Sequence, residues 1–155
     1  MRGLWTVLLV LGACVGPYGD AAVEWPPVAS KADEPDSAVR GVLVVAEAVE
    51  GVDLAPRERW TVDLAAGAAI TVEVTRSGTS AGVDVALALY GPMGSSGGRA
   101  LIASDDDAGY GLLPRLTATA AVRGEYLVVV ARKSPAVARY RLMVTCAAGA
   151  CAALP

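Results

Sequence analysis

Residues 59–75 read RWTVDLAAGAAITVEVT. Trp60, Val62 and Leu64 alternate with Thr61 and Asp63. After a turn at Ala65-Ala66-Gly67, Ile70, Val72 and Val74 alternate with Thr71, Glu73 and Thr75. A period of two puts one apolar side on a core and one polar side in water, the mark of a half-buried strand. The same device recurs along the chain. Residues 40–49 are rich in Val. Residues 83–89 set Val83, Val85, Leu87 and Leu89 opposite Asp84, Ala86 and Ala88. Shorter runs cover 100–103 and 116–120. Residues 125–132 (EYLVVVAR) are the most hydrophobic and are predicted to be central, and 139–145 place Tyr140, Leu142 and Val144 inward. About eight strands at short spacing, with no amphipathic helix, predict an all-β, jelly-roll-like antiparallel β-sandwich.

Composition narrows what such a domain can do. At 155 residues the chain has room for one ordinary domain. With 54% hydrophobic and 19% charged residues it is not a disordered tail. Asp and Glu number 16 against 13 Lys and Arg, a net charge of −3, so a phosphate-tracking surface for nucleic acid is not expected. There is no histidine. That removes Ser-His-Asp and Cys-His nucleophile pairs, HExxH zinc sites and imidazole proton shuttles together. The Gly- and Ser-rich stretch 94–98 opens no helix, and no GxSxG elbow occurs. The chain reads as non-catalytic. A small hydrolase working with paired carboxylates is the remote alternative, since it needs one acid raised by burial.

The N-terminus reads as an address. Arg2 supplies a positive charge ahead of an apolar run, LWTVLLVLG, at 4–12. Nine residues do not span a bilayer as a helix, which takes about 20, but they suit the core of a secretory signal. The run ends in Leu11-Gly12-Ala13-Cys14, which resembles the lipobox of bacterial lipoproteins. The resemblance implies cleavage before Cys14, a diacylglycerol on its thiol, and an outer-membrane or cell-surface destination. The alternative is cleavage near Gly19-Asp20-Ala21-Ala22 and a freely secreted protein. Residues 1–13 are thus a leader and 14–36 a Pro- and Gly-containing spacer, 37–146 the sandwich and 147–155 a tail. Trp25, ahead of Pro26-Pro27, is either a small docking element or an incidental linker aromatic. If lipidation takes Cys14, Cys146 and Cys151 remain, and the four residues between them allow a tight turn and a disulfide.

Residues 33–145 resemble the bacterial pre-peptidase C-terminal domain, a relative of the collagen-binding domains of secreted collagenases. The resemblance rests on an ordered series: the acidic opening Asp33-Glu34-Pro35-Asp36-Ser37-Ala38; the strand and turn at 60–67; Asp84-Val85-Ala86-Leu87-Ala88-Leu89-Tyr90-Gly91; Ser104 to Asp107; Gly124-Glu125-Tyr126-Leu127-Val128-Val129-Val130; and Tyr140-Arg141-Leu142-Met143-Val144. It implies a binding or accessory role on exported proteins. It also implies a calcium site in which acids of the linker and of a following loop converge, here Glu34, Asp36 and Asp53.

Three further candidates come from the residues themselves. Asp105-Asp106-Asp107 is either a cation-binding loop or a solvated loop whose carboxylates cap backbone N–H groups. Tyr110, between Gly109 and Gly111, is expected to be exposed and to touch a partner. Arg139 and Arg141 share one face of the last strand, where they suit an acidic partner or act as the charges that protect an edge strand. Trp60, Tyr126 and Tyr140 fall on inward positions and are expected in the core. Together these features predict a non-catalytic envelope lipoprotein that binds or scaffolds an extracellular or envelope component, protein or polysaccharide. The alternative is a freely secreted accessory module.

Overall fold

The alternation in 59–75 becomes two strands that lie in different sheets. The computed structural model describes residues 25, 39–52, 56–79, 82–111, 113–134, 139–147 and 151. Among these, nine strands run in chain order: β1 (Val39–Val42), β2 (Ala48–Val52), β3 (Arg57–Leu64), β4 (Ala69–Arg76), β5 (Val85–Tyr90), β6 (Leu101–Asp105), β7 (Arg115–Thr119), β8 (Gly124–Arg132) and β9 (Arg139–Cys146). One sheet has the order β1-β3-β8-β5-β6 and the other β2-β9-β4-β7. All pairings are antiparallel except β1 with β3. The result is a jelly-roll-like β-sandwich.

Every second residue of β3, and of β4 as far as Val74, is buried, as the period of two requires. Trp60, Val62 and Leu64 meet Ile70, Val72 and Val74 in one core with Val85, Leu87, Leu89, Tyr126, Val128, Val130, Tyr140, Leu142 and Val144. β8 stands in the middle of its sheet, paired with β3 from Gly124 to Ala131 and with β5 from Leu127 to Arg132. Its continuous apolar run follows from burial on both faces.

The Val-rich run 40–49 is two strands rather than one. After Val42 the chain leaves the first sheet, where Leu43 N donates to Thr61 O at 2.7 Å, and enters the second, where Ala46 N donates to Val144 O at 2.7 Å. Ala46 takes a positive φ of 67° to make that crossing. A side-chain-bearing residue in the left-handed region gives no Gly or Pro signal in the sequence, so the break is silent there.

The two sheets are also joined by a buried polar chain. Glu58 is 1% exposed and lies on the same inward row as Trp60. Tyr140 Oη on β9 donates to Glu58 Oε2, and Trp60 Nε1 donates to Tyr140 Oη at 3.2 Å. Burying a carboxyl is costly unless it is hydrogen-bonded, and the phenol hydroxyl supplies that bond. Gly51 of β2 lies over the same ring: a Cβ there would stand inside the Tyr140 phenol. Gly51→Ala is therefore expected to destabilise the fold by about 3 kcal/mol. Gly41→Ala, whose Cβ would sit 3.5 Å from Trp60 in ordinary contact, is expected to melt close to the parent. Equal melting temperatures for the two variants would refute this packing.

Candidate functional site

The loop that joins β6 to β7 holds most of the sequence-predicted contact and ligand residues that the structure describes. β6 ends at Asp105, whose side chain turns back rather than out. Asp105 Oδ2 accepts from Ala108 N at 3.0 Å and from Arg115 N at 2.8 Å. Lys133, the residue after β8, donates to Asp106 Oδ2 at 2.9 Å. Gly109 N donates to Leu113 O at 2.7 Å, and a side chain on Gly109 would collide with that carbonyl oxygen. Gly111 follows at a φ of 71°, in the region that favours glycine. Between these two glycines Tyr110 is 91% exposed. The loop base is tied to both sheets, and the ring at its tip stands in solvent.

This bonding also bears on calcium. The turn brings one carboxylate oxygen from each of Asp105, Asp106 and Asp107 within 4.8 Å of one another. An extended chain would have splayed them. Calcium takes about six to eight oxygens. Two of the three carboxylates already serve as acceptors for the loop and for a lysine. Asp105 takes the capping role, and Asp106 is engaged in an ion pair. The other proposed ligands, Glu34, Asp36 and Asp53, lie outside the described residues, as does Cys14.

The arginine pair needs correction in its setting. β9 is not an edge strand: it lies between β2 and β4. Arg141 is opposite Glu50 of β2, and its Nε and Nη2 both donate to Glu50 Oε1 at 3.1 Å. Ser77 Oγ donates to the other carboxylate oxygen. These bonds, Ser77 first and then Arg141, hold the exposed Glu50 carboxyl below the usual carboxylate range. Arg141 is thus half-engaged within its own sheet, while Arg139 remains an exposed cation beside it. Sequence spacing placed the two arginines on one face but carried no sign of Glu50, ninety-one positions away.

The remaining expectations fall as follows. Trp60, Tyr126 and Tyr140 are buried, and so is Tyr90. Burial raises the Tyr90 phenol above its ordinary value. Cys146 and Cys151 form a disulfide, with Cα atoms 6.0 Å apart. Cys146 also lines an open groove of about 480 Å³ across β4, β7 and β9, together with Thr71, Thr117, Thr119 and Thr145. Sequence reading missed this threonine row, because strand order rather than spacing brings it together. It also missed Arg99, buried and donating to the carbonyls of Gly91 and Glu125 and to the Glu125 carboxylate.

Solved structures share this fold. The pre-peptidase C-terminal domain of collagenase from Bacillus anthracis superposes with a TM-score of 0.51 at 14% identity, over 69% of this chain and 96% of that one. The chain shares the β-sandwich fold of that domain. The sandwich is equally similar to PliG of Aeromonas hydrophila, a periplasmic inhibitor of g-type lysozyme, at TM-score 0.53 and 16% identity, covering 72% of this chain and 99% of that one. It is similar too to CorA of Methylomicrobium album BG8, a surface-associated copper-binding protein, at TM-score 0.52 and 11% identity, covering 72% and 100%. No family model matches the sequence, and no curated protein matches it. At such identities the fold is what transfers, and any activity of this chain has to be argued from its own residues.

Three outcomes follow for the loop and the sheet. Asp105→Ala is expected to cost about 1 kcal/mol, since it exchanges two exposed bonds to backbone N–H groups for bonds to water. Tyr110→Ala should leave the melting temperature unchanged; a large loss there would mean the ring is structural. For Glu50 the folded pKa is depressed, so its stabilisation is complete above the ordinary carboxylate value and fades as pH falls through the folded value. Melting temperature followed from neutral to acid pH should show a shallower acid decline in Glu50→Gln than in the parent.

Proposed function

We propose that the protein is a non-catalytic binding module of the bacterial cell envelope, exported and held by a lipid on Cys14, that engages a partner through the loop 105–115. The observation that carries this reading is the Tyr110 loop. A solvent-exposed tyrosine gains nothing for folding, yet its loop is fixed by Asp105, the Asp106–Lys133 pair and the Gly109–Leu113 bond. Tyrosine brings large contact area with little side-chain entropy to lose, and a loop ordered beforehand removes part of the ordering cost of binding. Tyrosine is correspondingly enriched where proteins meet.

Several features support the reading. The chain has no histidine, and the Ser77 hydroxyl, which donates to the Glu50 carboxylate, does so at an exposed site where Arg141 also holds that carboxylate. The disulfide suits an oxidising compartment. The neighbours in fold bear on location and role: one is a periplasmic lysozyme inhibitor and one a surface-associated copper binder. A protein partner with a concave pocket for the phenol ring fits the single protruding side chain better than a flat polymer does, because a polymer platform would offer several coplanar aromatics and the other described tyrosines are buried.

Two experiments test the two halves. Fatty-acid label is expected on the parent protein and not on Cys14→Ala; label retained by the variant would remove the anchor. Affinity capture from envelope fractions with the parent and with Tyr110→Ala is expected to differ by one or a few bound components. Identical captured sets would remove the loop from the function. Calcium enters this account in neither half, and a melt at millimolar calcium against chelator is expected to show no shift that Asp106→Ala and Asp107→Ala abolish.

A further inference from the structure

Part of the outer face of the five-stranded sheet, along β5 and β8, is dry where a sandwich ordinarily meets water. Ala88 and Tyr90 of β5 and Leu127 and Val129 of β8 point away from the core between the sheets, and none is more than 1% exposed. They form an apolar cluster of their own, and among the described residues Trp25, fourteen positions before β1, packs against it. The indole is itself half-buried. Four fully buried apolar side chains on an outward face need a cover, and an indole is the largest apolar surface a single residue can bring to one.

We propose that Trp25 is a latch that fixes the N-terminal stretch to the outer face of β5 and β8, so that the anchored domain works close to its own membrane. The reach part of this proposal rests on the lipidation of Cys14 proposed above. Val39, where β1 begins, lies twenty-five residues from Cys14, which as a free tether allows about 90 Å. Trp25 lies eleven residues from Cys14, and a fixed point there cuts the limit to about 40 Å. The partner reached by Tyr110 is then a component in or on the same membrane, rather than one across the envelope. Ten residues, 15–24, separate Cys14 from that fixed point, and Pro26-Pro27 follow it in the sequence.

The test uses the full mature chain in lipid vesicles, with Trp25→Ala, Trp25→Phe and the parent compared. A dye on Val122→Cys, an exposed site away from the cluster, reports energy transfer to a headgroup acceptor in the bilayer. Acrylamide quenching of the parent, less that of Trp25→Phe, reports the exposure of the indole itself. The expected result is a protected indole, strong transfer in the parent and in Trp25→Phe, and transfer reduced at least twofold in Trp25→Ala. Trp25→Ala should also lower the melting temperature by about 5 °C. Free quenching of Trp25, with transfer and melting equal in all three proteins, would overturn the latch. If none of the proteins floats with the vesicles, the anchor fails and the reach claim with it, whatever the quenching shows. The two failures are therefore distinguishable.

Discussion

Burial of both faces of β8 is the constraint on which the rest of the molecule depends. One face supplies Tyr126, Val128 and Val130 to the core between the sheets, and the other supplies Leu127 and Val129 to the cluster under Trp25. The strand also satisfies its backbone on both sides, with β3 and with β5. A strand so enclosed cannot shift register by one residue without exchanging its two faces, and here the two faces carry different neighbours. Gly124 marks one end of the strand and Lys133, just beyond the other, grips Asp106. The position of β8 therefore sets the position of the Tyr110 loop.

That coupling explains how an exposed loop can be stiff without being buried. Asp105 closes the end of β6 against the start of β7 through two backbone N–H groups, so the loop is tied to one strand of each sheet. The buried chain from Trp60 through Tyr140 to Glu58 ties the sheets together from inside, far along the sequence. Polar bonds at these two places do what the small Val- and Ala-rich core does not do by volume alone: they select one relative placement of the sheets. The disulfide contributes at the margin, since a loop of five residues removes little entropy from the unfolded chain.

The legible part of the sequence was whatever period two encodes. Trp60, Val62 and Leu64, then Ile70, Val72 and Val74, and the unbroken EYLVVVAR stretch announced strands and the central one among them. Glu58 was also within reach, because it shares the row of Trp60 two residues on, and a carboxylate on an apolar row signals a buried partner. The corner at 43–47 was not, because its left-handed residue is an alanine. Strand order is not a local property, so neither the interior position of β9 nor the pairing of Arg141 with Glu50 could be read from spacing. At the site, two glycines around Tyr110 were enough to predict exposure. The closing of Asp105 onto Arg115 N and the seating of Trp25 on β5 and β8 are tertiary, and a single aromatic in a Pro-containing stretch has no period to give it away.

The account stands on Tyr110 being a contact residue in the envelope and a free one in the purified protein. Among the described tyrosines it alone is exposed, with Tyr90, Tyr126 and Tyr140 buried, so tyrosine-directed iodination followed by peptide mass spectrometry reads it separately. The account predicts rapid modification of Tyr110 in the purified protein and marked protection in intact envelopes, lost when the envelopes are stripped of their other proteins. Equal modification of Tyr110 in both settings would contradict it.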